Sequence, residues 1–144
     1  MDRSMIEGNA AAQERLRALI ARLSDDDLRR DLGDGWTVAA ALAHIAFWDR
    51  RAAVLLERWA RAGLAPSPAD ADAINDAMLP QWLAIPPRAA AEDALAAAAA
   101  VDQRLAALSD DLARSIREQR AQVQLDRSLH RIEHVDEIER LLGR

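Results

Sequence analysis

The sequence predicts an all-α protein, a four-helix bundle with short helical connectors, and three observations support this fold class. Ala, Leu, Arg, Glu and Asp are abundant in the 144 residues, and most of these side chains lose little freedom in a helix. β-Branched residues are few, which argues against a sheet. Four long segments carry apolar residues at helical spacing, and such segments pack their apolar stripes together in bundles. The length fits one domain over residues 1–144.

The helical segments can be placed from their apolar periodicity and their start and stop signals. The first main helix is predicted from about Asn9 to Leu23, and a short helical piece follows the cap Ser24 as far as about Leu32. Gly33, Asp34 and Gly35 end that piece, and no strand is predicted anywhere in the chain. The second main helix runs from the cap Thr37 to Ala62, and a shorter helix follows over 70–84, which Pro80 must kink or divide. The third main helix runs from Pro87 to Leu108. A capping signal at Ser109 follows, and the last helix extends from about Gln122 to Leu142.

Charge and composition argue against several function classes. The formal net charge is −5, from 24 acidic and 19 basic residues, and no basic stripe is present to bind the phosphates of a nucleic acid. The absence of Cys removes disulfides, thiolate ligands and a cysteine nucleophile. No stretch reaches the roughly 20 apolar residues of a membrane span, and Met1 to Ser4 lack an apolar signal region. We therefore expect a cytoplasmic protein with neither nucleic-acid nor membrane partners.

The three histidines of the chain form the most informative pattern. His130 and His134 are one helical turn apart, so their imidazoles project from the same face of the last helix. If the second main helix faces the last one, His44 can complete a three-histidine site for a divalent metal, with a position open for water or substrate. The alternative is that His130 and His134 are polar residues of a charged helix. His44 would then be a core-edge histidine bonded to a backbone carbonyl.

Two segments resemble a known family. The string Asp34-Gly35-Trp36-Thr37-Val38 with the following Ala43-His44-Ile45-Ala46-Phe47-Trp48-Asp49, and the last-helix stretch from Asp126 to Ile138, are similar to the DinB-like metal-binding proteins. Within that superfamily the resemblance is closest to the mycothiol-dependent maleylpyruvate isomerase N-terminal domain type. It implies a DinB-like four-helix bundle in which His44, His130 and His134 hold the metal.

The resemblance also implies a range of functions. Some relatives use the metal to activate a low-molecular-weight thiol such as mycothiol or bacillithiol, which leads us to expect thiol-dependent transfer or isomerisation, or hydrolysis, on a small molecule. Imidazole ligands suit zinc or nickel, and iron, manganese or cobalt could also occupy the site. No catalytic residue can be named. The alternatives are a non-catalytic metal- or ligand-binding stress-response module, with Asp49 or Glu137 as a fourth ligand, and a metal-free helical interaction protein.

Three further residues are candidates for contact with a substrate. Trp48 follows His44 by one turn and is expected to form a pocket wall, whereas Trp36, Trp59 and Trp82 are assigned to packing. Arg127 and Arg131 share the side of the last helix that carries His134, and a guanidinium matches a carboxylate of a substrate. The alternative for both arginines is an interhelical salt bridge, for example to Asp49 or Glu57.

Two expectations concern the surroundings of the site and the assembly. The unused imidazole nitrogens should donate to carboxylates or carbonyls, for which Asp126, Glu133, Glu137 and Asp49 are candidates. The Ala-rich helix around residues 89–100 could pack closely against a partner, which favours a homodimer.

Overall fold

A computed structural model describes residues 4–121 and 123–143, and it confirms the all-α bundle. The elements in chain order are α1 (Ser4–Arg22), α2 (Asp25–Leu28), β1 (Asp31–Gly33), β2 (Trp36–Thr37), α3 (Val38–Ala62), α4 (Ala71–Ala84), α5 (Pro87–Ala106), α6 (Asp110–Glu118) and α7 (Ser128–Leu142). The four long helices α1, α3, α5 and α7 form the bundle, and the shorter elements connect them.

Of the three pairs of consecutive long helices, α1 with α3 and α5 with α7 lie across a diagonal, whereas α3 and α5 are neighbours. α3 packs most extensively on α5, α1 packs on both α7 and α5, and α3 also contacts α7. Within the described ranges, neither α1 and α3 nor α5 and α7 make a comparable contact. The bundle is therefore of the crossover kind rather than a simple up-and-down one. This order places α3 beside α7.

Two apolar clusters fill the interior, with a layer of buried polar side chains between them. On α3, Asp49 of this layer lies between Ile45 of the first cluster and Ala52 of the second. The first cluster joins α1, α3, α5 and α7, and the second joins α3 and α5 to α6 and to the segment before α7. Each fully buried Leu or Ile contributes about 1.5–3 kcal/mol, so these clusters supply the main driving force for folding.

Local capping accounts for several helix starts. The Thr37 hydroxyl accepts the N–H of Ala40 at 3.1 Å, and the hydroxyls of Ser24 and Ser109 cap α2 and α6 in the same way. All three caps were predicted from the sequence. Gly63, with φ of +93°, ends α3 as expected, because only glycine adopts such a conformation without strain.

Some predicted boundaries are wrong. Residues 31–37 form a small antiparallel hairpin of β1 and β2, where no strand was expected, with Gly33, Asp34 and Gly35 at positive φ in its turn. α1 begins at Ser4 rather than at Asn9. α4 continues through Pro80 without being divided, and the kink that was the other expected effect of this proline stays a prediction.

The last helix also begins later than predicted. α7 starts at Ser128, whereas the sequence placed its start at about Gln122, which lies outside the described residues. The backbone N–H groups of Arg127 and Ser128 donate to the side-chain oxygen of Asn9, at 2.8 and 3.0 Å. The start of α7 is thus held by a side chain of α1 together with the local Asp126, whose carboxylate also accepts the N–H of Ser128 at 3.0 Å.

None of the helices in the described part of the chain is long and apolar enough to cross a membrane.

Candidate metal centre

The three histidines converge between α3 and α7. The Nε2 atom of His130 lies 2.9 Å from Nε2 of His44 and 3.2 Å from Nε2 of His134. His44 is only 7% exposed, so it lies on the buried side of α3. The three ligand positions that the family resemblance implied are therefore brought to one point.

The donor set fits a metal ion. Three nitrogen ligands at 2.0–2.1 Å from a tetrahedral ion are about 3.3 Å apart, close to the separations of the Nε2 atoms. Among the residues that the structure describes, these three histidines alone form a group whose ligand atoms lie within 4.8 Å of one another. Neither carboxylate proposed as a fourth ligand, Asp49 or Glu137, belongs to it. Three ligands from the described residues would leave coordination positions open on a bound ion.

Burial keeps two of the imidazoles in the form that binds metals. Burial, and then the neighbouring His134, lower the pKa of His44 from 6.5 to about 4. Burial is again the largest cause for His130, whose pKa is lowered to about 3 with smaller contributions from the other two histidines, Arg127 and Arg131. Both imidazoles are neutral at pH 7, and a neutral imidazole nitrogen can bind a metal without first losing a proton.

Most of the hydrogen bonds expected for the outer imidazole nitrogens are not formed among the described residues. Nδ1 of His44 and Nδ1 of His134 are buried and have no hydrogen-bond partner within the described ranges. The nearest carboxylate to His134 Nδ1 is that of Glu137, at 3.7 Å. Of the other candidates, Asp126 accepts from Ser128, and Asp49 pairs with two arginines.

A cavity of about 720 Å³ opens beside the three imidazoles. Its size is that of a small-molecule site. Trp48 lines it, and its indole N–H donates to the side-chain oxygen of Asn75 at 2.8 Å; contact of Trp48 with a substrate stays a prediction. The charged residues of the cavity wall are Asp34, Arg127, Glu133 and Glu137.

Two tryptophans assigned to packing lie against His44. The rings of Trp36 and Trp82 meet its imidazole edge to face, with ring centroids 5.4 and 5.3 Å away. Trp82 is buried in the first apolar cluster, but Trp36 also lines the cavity. Its place in the site was missed because it depends on the hairpin, which folds β2 back onto the start of α3.

The polar layer beneath the site contains Asn9, Asp49, Asp102, Arg127 and Arg131. Asp49 is 1% exposed, and its two oxygens accept from Arg127 Nε at 2.9 Å and from Arg131 Nη2 at 3.2 Å. Arg131 also pairs with Asp102 at 2.8 Å and donates to the carbonyl of Asn9 at 3.0 Å. The charges of the two arginines and the two aspartates sum to zero. Removing any one of the four would leave an uncompensated charge in the interior.

The two arginines thus occupy different places. Arg131 is fully buried, does not line the cavity, and has all three guanidinium nitrogens engaged by the protein. This position does not fit the predicted contact with substrate, and the interhelical ion pair to Asp49 is the role that the geometry gives it. Arg127 pairs with Asp49 as well, but it also lines the cavity.

Leu129 shares the apolar spacing of the last helix in the sequence, but it does not face the core. Its side chain is 62% exposed at the rim of the cavity, and the residues that α7 buries are Ser128, Arg131, Val135 and Ile138.

Comparison with known proteins gives one match. A family model described as the DinB superfamily matches residues 9–135, which include all three histidines. No curated protein and no solved structure gives a significant match.

Proposed function

Since the chain belongs to the DinB superfamily, we propose that it holds one divalent metal ion through Nε2 of His44, His130 and His134 and uses it on a small molecule in the adjoining cavity. The observation that carries this proposal is the convergence of the three Nε2 atoms beside a cavity of about 720 Å³. Such an ion supplies a Lewis acid that lowers the pKa of a water or thiol bound to it.

The chain's own residues would hold the ion and shape the space around it. Trp82 and Trp36 restrict the ring of His44 from two sides, and Trp48, fixed by Asn75, forms part of the cavity wall. Zinc and nickel suit three imidazoles, and iron, manganese or cobalt are also compatible with these ligands.

The first candidate reaction is thiol-dependent transfer or isomerisation, as in the maleylpyruvate isomerase type that the sequence resembles. The open coordination positions support it, because a thiol can reach the ion from the cavity. Cobalt-substituted protein should change its visible spectrum when mycothiol or bacillithiol is added. An unchanged spectrum at millimolar thiol would contradict this reaction.

The second candidate is hydrolysis, and Glu133 is the observation that favours it. Glu133 lies between the two histidines of α7 in the order His-x-x-Glu-His, an order in which the glutamate of some metallohydrolases acts as the base. Its carboxylate lines the cavity and makes no hydrogen bond or ion pair with the described residues. It is therefore placed to accept a proton from water in the cavity.

Two other readings have less support. A non-catalytic module with a closed coordination shell would need a fourth protein ligand, and Asp49 is committed to two buried arginines. A metal-free interaction protein required histidines that do not converge, and this requirement is not met.

The test is elemental analysis of the untagged protein beside the double variant His130→Ala/His134→Ala. We expect nearly one metal ion per chain in the wild type and almost none in the variant, with circular dichroism showing that both are folded. Arg140→Ala, an exposed change on the same helix, should keep its metal. Wild-type protein that neither contains metal nor takes up added zinc or nickel would overturn the proposal.

A further inference from the structure

Arg127 places a positive charge in the wall of the cavity that the three histidines line. The residue is only 8% exposed and lines the cavity, so its guanidinium is largely removed from bulk water. A buried arginine is costly to keep unless its N–H groups are satisfied. The N–H groups of Arg127 that have a protein partner, and those that have none, therefore indicate which kind of ligand the cavity binds.

The protein satisfies only part of this guanidinium. Nε donates to Asp49 at 2.9 Å, and Nη1 makes one long contact of 3.4 Å with the carbonyl of Gln124. Nη2 has no hydrogen-bond partner among the residues described. It is not one of the fully buried atoms that lack a partner, and Arg127 lines the cavity, so Nη2 is accessible from there. One edge of the fork is held by the protein, and the other is free for a ligand.

Asp49 does not cancel the charge of Arg127 toward the cavity. Its second oxygen serves Arg131, and its side chain is fully buried outside the cavity wall. The backbone N–H of Arg127 is bound to Asn9, so the residue is held at the start of α7, one turn before His130. The guanidinium is thus fixed in orientation before any ligand arrives, which lowers the entropy cost of binding one.

The other charged residues of the wall restrict where an anion can bind. Asp34, Glu133 and Glu137 are carboxylates, and each repels a negative group. Among the wall residues described, Arg127 is the one cationic side chain. An anionic group in this cavity is therefore favoured beside Arg127 and disfavoured near the three carboxylates.

From this geometry we infer that the site takes small carboxylates that carry a second, metal-binding donor such as a thiol, with the carboxylate on Arg127 and the donor at the open coordination position. This inference rests on the proposed metal site and specifies its ligand class. A carboxylate offers two oxygens to a guanidinium fork, and such charged hydrogen bonds are stronger than neutral ones.

The test compares two thiols of equal size, 3-mercaptopropionate and its amide 3-mercaptopropanamide, on cobalt-substituted protein. The thiolate-to-cobalt absorption reports binding of each thiol without any assay of activity. We expect the wild type to bind the carboxylate at least about 10-fold more tightly than the amide, the size of effect expected for a hydrogen bond to a charged group. Equal affinities in the wild type, after correction for the acidities of the two thiols measured in water, would overturn the inference even if no variant were made.

Two variants test whether Arg127 is the cause of the preference for the carboxylate. Arg127→Gln should bind the two thiols with nearly equal affinity, whereas Arg50→Gln, which removes an exposed arginine of α3 paired with Asp93, should keep the wild-type preference. The ratio of the two dissociation constants is compared between proteins, so the difference in acidity between the thiols cancels. An undiminished preference in Arg127→Gln would contradict the assignment.

The outcomes separate this inference from the proposed function. Protein that does not take up cobalt would contradict the metal-dependent function and the ligand class together. Cobalt protein that responds to neither thiol would contradict the thiol-dependent reaction and the ligand class, and would leave hydrolysis as the candidate reaction. Protein that binds both thiols equally would leave the metal site standing and remove only the role of Arg127.

Discussion

Asp49 is the residue on which the buried polar layer depends most. It neutralises parts of two buried guanidiniums at once, and it is 1% exposed, so water cannot replace it. We predict that Asp49→Asn lowers the free energy of unfolding by about 3 kcal/mol, because it leaves Arg127 and Arg131 with less than one compensating charge each. Chemical denaturation of the metal-free protein measures this loss.

Glu57 provides the matched control for Asp49. It also lies on α3 and pairs with an arginine, Arg104, but both side chains are about half exposed. Glu57→Gln should change the free energy of unfolding by less than about 0.5 kcal/mol. Similar losses in the two variants would show that burial of the polar layer is not what makes Asp49 important.

The lowered pKa values of His44 and His130 make the stability of the metal-free protein depend on pH. Their folded pKa values, about 4 and about 3, lie below the ordinary 6.5, so the unfolded chain binds protons at a pH where the folded chain does not. The free energy of unfolding should fall by about 2 kcal/mol per imidazole as the pH drops from 6.5 to 5. Denaturation in the presence of a chelator at the two pH values measures this.

His44→Gln isolates that contribution from the titration of carboxylates. The variant should lose about half of the histidine-dependent destabilisation between pH 6.5 and pH 5, while the part due to acidic residues remains. A variant whose pH dependence matches the wild type would contradict the assigned origin.

At the residue scale, the ligand set could be predicted and its surroundings only in part. The spacing of His130 and His134 fixes their shared face, and the residues around His44 resemble a known signature. The ion pairs of Asp49 with the two arginines were foreseen only as one alternative, and nothing local to Asn9 indicates that it will hold the start of α7, because these partners are 78 to 122 residues apart in the chain. Long-range polar contacts of this kind follow only from the packing.

At the scale of elements, Thr37 controls the start of the helix that carries His44. Its hydroxyl satisfies the N–H of Ala40, one of the groups that a helix start leaves without an intrahelical partner. Thr37→Ala should lower the free energy of unfolding by about 1 kcal/mol, measured by chemical denaturation.

Thr37→Ser tests whether the hydroxyl is responsible. Serine keeps the capping oxygen, so this variant should recover most of the stability lost in Thr37→Ala. If both variants were equally unstable, the contribution would come from the methyl group or from the pairing of β2 with β1 rather than from the cap.

Element boundaries were predictable where local chemistry sets them. Ser24, Thr37 and Ser109 cap helices as expected, since each hydroxyl bonds a backbone N–H three residues on. The start of α7 was misplaced because Asn9, a residue of another helix, satisfies its first N–H groups. The hairpin was missed although Gly33, Asp34 and Gly35 favour the positive φ values of a tight turn.

At the scale of the whole molecule, metal should stabilise the fold without being required for it. The two apolar clusters do not include the histidines, so the metal-free chain keeps its core. Free metal at 100 times its dissociation constant should add about 2.7 kcal/mol, and thus raise the melting temperature by roughly 8 °C. Calorimetry of the chelator-treated and reloaded protein measures the shift.

The variant His130→Ala/His134→Ala serves as the control for this shift. Its melting temperature should not respond to added metal, because two of the three ligands are gone. If the wild type unfolded completely on chelation, the metal would be structural, as in domains that fold only when loaded.

The arrangement of the long helices and the assembly were beyond the reach of sequence patterns. Apolar stripes predict that helices pack, but an up-and-down and a crossover bundle share the same stripes. The small residues of α5, which suggested a dimer face, are largely used inside the chain, where α5 packs on α3; the buried ones are Ala90, Ala91, Ala94, Ala97 and Ala98. The homodimer stays a prediction.

The position of α7 beside α3 has a consequence for how the protein is made. His44 and His130 are 86 residues apart in sequence, and contacts of such long range close slowly in folding. A growing chain that ends before α7 carries one of the three ligands, so the three-ligand site cannot form during most of synthesis. Under the proposed function, metal acquisition would be coupled to completion of the bundle, and truncated or partly folded chains would not withdraw ions through this site.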